Sequence, residues 1–159
     1  HYVGGHSDNH LLYADWGKRD STLVTRDSLM KDLMANYAEL EKFGISKSDA
    51  KWYLPPYEYY NTETVDWIEA AGINVMNLTP GSATSADYTI PSMSNYRTAQ
   101  TLINSLMEFE AKEGLNGAII LIHPGIEPSR PDPLYVRLGE IIKTLKKKGY
   151  TFGSFSELE

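Results

Sequence analysis

The sequence predicts an α/β protein built on parallel strands. Three observations carry that expectation. Strand-length and helix-length apolar segments alternate along the 159 residues. One of the strand-length runs, 117–122, is continuously apolar and β-branched, as a parallel strand covered on both faces should be. The polar residues able to do chemistry gather just after such segments, at the strand ends where parallel α/β folds place their sites.

Taken in order, Leu29, Leu33, Met34, Tyr37, Leu40 and Phe43 recur at helical spacing and predict a helix over 25–43. Thr25 with Ser28 offers its N-cap, and Gly44 its stop. A short strand over 51–54 ends at Pro55-Pro56. A helix follows over 62–71, with Thr62 as its cap and Gly72 as its terminator, and then a strand over 73–78. Beyond a polar loop over 79–96, the spacing predicts a helix over 97–113, stopped by Gly114, with Leu102, Leu106, Met107 and Phe109 for the core. The strand over 117–122, a last helix over 131–148 stopped by Gly149, and a last strand over 150–155 complete the series. Such alternation implies βαβ units around a sheet that is open or closed into a barrel. With no internal repeat, low-complexity linker or second domain, residues 1–159 read as a single domain.

Composition excludes several classes. Lys+Arg number 15 against 21 Asp+Glu, a net charge of −6, and no basic stripe is available to displace phosphate counterions, so nucleic acid is not expected as a partner. The one basic cluster, Lys146-Lys147-Lys148, falls at a predicted helix end, where cations complement the dipole. Cysteine is absent, which removes disulfides, thiolate metal sites and cysteine nucleophiles. No segment approaches the ~20 apolar residues of a membrane helix. The opening HYVGGHSDNH has neither a basic nor an apolar leader region, so no signal peptide is expected in this chain.

Chemistry can come from few places. Of four histidines, His6 and His10 are four apart, a spacing that on a helical turn puts both imidazoles within reach of one metal. Ser7, Asp8 and Asn9 between them offer short hydrogen-bonding groups that could hold the ring tautomers. His123 ends the apolar run 120–122 ahead of Pro124-Gly125, where its titration range suits general acid work.

These residues resemble the polysaccharide deacetylases of the NodB homology domain, carbohydrate esterase family 4. His6-Ser7-Asp8-Asn9-His10 is similar to the family's H-[ST]-x-x-H motif, Leu54-Pro55-Pro56-Tyr57 to its R-x-P-Y, and Leu121-Ile122-His123 to its L-x-H, in the family's order. The resemblance runs from the first residue to about Phe155. It implies a distorted parallel (β/α) barrel, incomplete at its N-terminus, and metal-dependent deacetylation of a carbohydrate. It implies that His6 and His10 bind a divalent metal, most often Zn2+, and that the backbone N–H of Tyr57 serves the oxyanion. His123 would be the general acid and Leu121 would line the pocket for the acetyl methyl. Pro56, Tyr59 and Asp87 complete the expected substrate-binding set, Asp87 being also a candidate to tune His123.

Two departures from the family pattern stand out. The opening T-F-D-D-G type motif, which supplies the family's catalytic base and third metal ligand, does not occur in this sequence. The chain thus reads as the C-terminal two-thirds of such a domain. A preceding segment, a swapped second copy, or a nearby carboxylate such as Asp8 or Asp15 would have to complete the site. The arginine of R-x-P-Y is Leu54 here. The leading expectation is therefore a hydrolase acting on N- or O-acetyl groups of a polysaccharide, in the periplasm, at the cell surface or secreted. The alternative is a catalytically inactive carbohydrate-binding member of the same fold.

Overall fold

The computed structural model describes residues 1–158 and resolves into two compact units, one of His1–Asn77 with the C-terminal stretch from Gly153 on, the other of Leu78–Phe152. Each is built around its own buried apolar cluster.

In the first unit, helix α1 (Arg26–Glu41) begins as the sequence predicts. The Thr25 hydroxyl accepts from Ser28 N at 3.2 Å while the Ser28 hydroxyl accepts from Thr25 N at 3.1 Å, a reciprocal capping box. The helix buries Leu29, Leu33 and Tyr37 with Asp32, one stripe at i, i+3, i+4 and i+8. Met34 and Phe43, expected with them, are exposed: Met34 falls off that stripe, and Phe43, 81% exposed, lies in the turn beyond the end of the helix. Strand β1 (Trp52–Tyr53) leads through a 3-10 turn (Pro56–Glu58) into helix α2 (Thr62–Glu69), and strand β2 (Asn74–Val75) follows. Asn61 caps α2, its side chain accepting from Thr64 N, so the cap lies one residue before the Thr62 expected. The two strands pair in parallel, Trp52 with Asn74 and Tyr53 with Val75. Gly5 adds a parallel bridge to Tyr53, closed by Leu54 N–H to the Gly5 carbonyl at 3.1 Å.

That third segment needs its glycines. A Cβ on Gly4 would stand 2.5 Å from the Trp52 carbonyl oxygen, and one on Gly5 2.9 Å from Asn36 Oδ1. Beneath them the Tyr13 and Tyr53 hydroxyls share a hydrogen bond of 2.6 Å inside the core. Burial pushes Tyr13 up to about 12 and Tyr53 higher still, so both hydroxyls keep their protons.

In the second unit, helix α3 (Ala99–Glu113) is capped by Thr98 and ends at Gly114, and helix α4 (Leu138–Lys147) follows a 3-10 turn (Leu134–Arg137). The helix expected from 131 starts late, since a residue before proline, here Asp132, is disfavoured in the helical region. Asp132 instead accepts the Ala99 N–H and the Tyr96 hydroxyl. The Arg130 guanidinium is buried beside it, donating to the Thr89, Arg97 and Asp132 carbonyls. Lys148 reaches Glu110 at 2.6 Å, which turns part of the basic cluster inward onto α3.

Two expected strands do not appear as ladders. Over 117–122, Thr79 N–H reaches the Ile119 carbonyl at 2.8 Å, but Ile119 N–H is taken by the Thr79 hydroxyl at 2.9 Å rather than by a backbone oxygen. A side chain thus replaces the second rung. At the start of 150–155, Tyr150 N–H closes the end of α4 on the Leu145 carbonyl at 3.1 Å, and 155–157 turn into a 3-10 helix. Among the described residues the ladder is therefore two strands wide with one added bridge. Among the described residues the closed ring of strands that a barrel requires is not displayed, and the α/β alternation holds only from α1 to α3, since no strand separates α3 from α4.

Candidate functional site

The His6–His10 segment is not the helical turn its spacing suggested. It is a tight loop with Ser7 at φ 81° and His10 at φ 54°, left-handed values that non-glycine residues adopt at a cost of roughly 1–3 kcal/mol each. The loop nevertheless brings the two imidazoles together, with ring centres 5.1 Å apart and planes at 70°. His6 Nδ1 lies 2.7 Å from the Leu54 carbonyl oxygen. A carbonyl only accepts, so Nδ1 carries the proton and the lone pair of the neutral ring is on Nε2. Leu54, in the place of the family's arginine, thus serves the site through its backbone.

Helix α1 holds this loop. Asp32, 4% exposed, accepts from the Ser7 hydroxyl, from Asn9 N at 2.7 Å, from Asn9 Nδ2 at 2.9 Å and from Asp8 N at 3.3 Å. Ser7 Oγ in turn accepts His10 N–H at 2.9 Å, and Asn36 Oδ1 accepts His6 N–H at 3.1 Å. Burial alone would raise the Asp32 pKa; the hydrogen bonds from Ser7, Asn9 and Asp8 outweigh it and hold the carboxyl below its ordinary range. A depressed folded-state pKa contributes stability that is complete above the unfolded value and lost as pH falls through the folded one. Urea unfolding followed across the acid range should therefore show a decline that is shallower in Asp32→Asn than in the parent chain.

Tyr57 follows the buried Pro56 at φ 58°, with Glu58 at φ 53°, so among the described residues four of the five non-glycine residues with positive φ lie in the two segments carrying His6, His10 and Tyr57. Tyr57 is 45% exposed, and its ring meets His10 edge to face at 4.4 Å. Among the described residues no acceptor pairs with its N–H. Tyr59 is engaged in holding the rim: its hydroxyl donates to the Asp15 carbonyl at 3.2 Å, and Trp16 and the Arg19 guanidinium pack on its ring at 4.4 and 4.9 Å. Trp16, 59% exposed and 5.7 Å from the Tyr57 ring, extends the aromatic surface and was not anticipated. The carboxylates considered as substitutes are occupied locally: Asp8 accepts from Asn9 Nδ2 at 3.0 Å, and Asp15 caps Gly17 and Lys18 N–H at 2.8 Å each. Among the described residues no three His, Cys, Asp or Glu side chains gather as a metal-holding group.

In the second unit, Asp87 sits on a 3-10 turn (Thr84–Tyr88) entered through Ala83 at φ 63°. It is fully buried and holds His123 twice, Oδ2 accepting the backbone N–H at 2.8 Å and Oδ1 facing ring Nδ1 at 2.6 Å. Both carboxylate oxygens thus face His123, an arrangement that fixes the direction of its ring. The His123 side chain is 31% exposed, with the Tyr88 ring 6.2 Å away, and Leu121, two residues before it in the chain, is half-buried. With Nδ1 facing the carboxylate, the neutral ring carries its proton on Nδ1.

No protein-family model matches the chain. Two curated relatives are similar over 99% of it: an uncharacterised 30.6 kDa protein from the fumA 3′ region of Geobacillus stearothermophilus, 28% identical, and the uncharacterised protein YlxY of Bacillus subtilis strain 168, 26% identical. The matches take in 51% and 40% of those proteins, so the chain spans about half the length of the curated relatives it matches. Among solved structures, BA3943 of Bacillus anthracis, a CE4 family pseudoenzyme, superposes with a TM-score of 0.63 at 20% identity over 98% of this chain and 45% of that one. A BA3943 mutant with restored enzymatic activity gives 0.63 at 18% identity, over 98% and 47%. The Bc1960 peptidoglycan N-acetylglucosamine deacetylase gives 0.72 at 18% identity, over 98% and 61%. The fold is therefore of the polysaccharide deacetylase type, shared by working deacetylases and by pseudoenzymes.

Proposed function

We propose that the chain belongs to a hydrolase that removes N- or O-acetyl groups from a carbohydrate with the help of a divalent metal. The observation that carries this reading is the edge-to-face His6–His10 pair, with His6 Nδ1 spent on the Leu54 carbonyl. An imidazole anchored through one nitrogen offers the other to a metal in a defined direction, so the pair fits two positions of a zinc site. A third ligand has to be added to them. When bound, such an ion supplies Lewis acidity that makes water nucleophilic near neutral pH.

The chain's own groups would do the rest. The Tyr57 N–H donates to the acetyl oxygen as charge grows there, a contribution of about 10²–10³ in rate. His123, held by Asp87, delivers a proton from Nε2 to the departing nitrogen or oxygen, so that the acyl bond breaks to acetate and a neutral amine or alcohol. Leu121 borders the acetyl methyl, and the Tyr57–Trp16–Tyr59 surface offers ring faces to a pyranose. A polymeric substrate of this kind is met in the periplasm, at the cell surface or outside the cell.

A second reading, an inactive carbohydrate-binding protein, is favoured by Leu54 standing where the deacetylase pattern has arginine. Acetate release separates the two. Incubation with zinc and N-acetylglucosamine oligomers or acetylated xylan should liberate acetate. Oligomer binding without acetate would establish the second reading, and neither binding nor release would overturn both.

A further inference from the structure

We infer that helix α1 is the positioning element of the histidine pair, acting on both rings through Asp32 and Asn36; this rests on the metal-holding role proposed for His6 and His10. The two residues are four apart and therefore stack on one edge of the helix's buried stripe. Each fixes the backbone of one histidine. Asn36 accepts His6 N–H directly, whereas Asp32 reaches His10 through Ser7, whose hydroxyl donates to the carboxylate and accepts His10 N–H.

The geometry is more than a loop resting on a helix. Asp32 Oδ1 takes both the backbone and the side-chain N–H of Asn9, and Oδ2 takes the Ser7 hydroxyl and Asp8 N–H, so four donors from three consecutive residues converge on one buried carboxylate. A buried carboxylate is retained at a desolvation cost that these donors offset. What they secure is the pair of left-handed residues, Ser7 and His10, which an unsupported loop would let relax into the ordinary φ region. Relaxation at either residue rotates the His10 ring away from its edge-to-face partner. No sequence motif names Asp32, which lies 22 residues after His10.

The test is zinc binding by isothermal titration, with amide hydrogen exchange on the same proteins. Asp32→Asn and Ser7→Ala should both weaken zinc affinity, by about 10–100-fold for Asp32→Asn, the usual effect of removing a group that orients a ligand. Protection of the Asn9 and His10 amides should fall in both, while the amides of α3 keep theirs. Ser7→Ala leaves Asp32 three of its donors and serves where the aspartate variant folds poorly. A merely structural Asp32 would lower the unfolding midpoint with zinc affinity unchanged, and that result overturns the inference. If the parent chain binds no zinc, the metal reading falls; selective loss of Asn9 and His10 protection would still establish the positioning role, and unchanged protection would end it.

Discussion

His123→Ala is expected to slow acetate release by roughly 10²–10⁴-fold while leaving the Michaelis constant for the sugar nearly unchanged, the range that a positioned general acid supplies. An amide suffers more than an ester from losing the proton, because an amine is the poorer leaving group. A comparison of N-acetyl with O-acetyl substrates should therefore show the larger loss on the former. Asp87→Asn tests the same device from behind. Its carboxylate takes the His123 backbone N–H and ring Nδ1 at 2.8 and 2.6 Å, so a carboxamide of the same size can keep the first contact while giving up the charge that holds the second. The expected outcome is a fall in rate smaller than that of His123→Ala, with a displaced pH profile and the fold intact. Equal rates in the parent chain and His123→Ala would remove His123 from the chemistry and leave Asp87 as a buttress of the 83–88 turn.

The first helix start was legible because it is written in local chemistry, Thr25 with Ser28 satisfying the first-turn amides from within three residues. Asn61 with Thr64 and Thr98 with Thr101 work in the same way but fall beside the starts expected, and α4 has no side-chain cap to mark its own. Gly72 and Gly149 accept the positive φ that follows the last turn. Strands were less legible because a ladder depends on a distant partner. The run 117–122 has the composition of a buried strand, yet whether it pairs depends on Thr79, 40 residues away from Ile119, whose hydroxyl takes the rung. The site divides in the same way. His6, His10, Tyr57 and His123 could be singled out from motifs, but the left-handed loop that joins the first two contradicts the helical turn implied by their spacing. Asp32 was missed for a physical reason: an aspartate in an amphipathic helix reads as solvent-facing, and only the arrival of residues 7–9 makes it a buried acceptor. Its register gave a signal, since it falls three residues after Leu29 and one before Leu33, inside the buried stripe.

That stripe makes Leu33→Ala the substitution expected to cost most in stability. Leu33 has no exposed surface and packs within the cluster of Tyr13, Leu29, Tyr37, Tyr53 and Ile68. Removing its isobutyl group forfeits the transfer energy and leaves a cavity that these large rings, locked by the Tyr13–Tyr53 and Tyr37–Ala50 hydrogen bonds, have little freedom to fill. The cost should be about 3–4 kcal/mol, read as a lower urea midpoint by circular dichroism with the slope unchanged. Phe43→Ala, at a residue 81% exposed, removes a larger side chain and should stay within about 0.5 kcal/mol of the parent. The contrast matters because both residues lie on the same apolar period in the sequence, yet Leu33 is buried on α1 and Phe43 falls beyond the helix end. Leu33 also adjoins Asp32, so loosening α1 should lower the protection of the Asn9 amide before global unfolding begins. A loss for Leu33→Ala no larger than that for Phe43→Ala would mean that Leu33 does not face the core, and Asp32, its neighbour on α1, would then have no reason to meet the histidine loop.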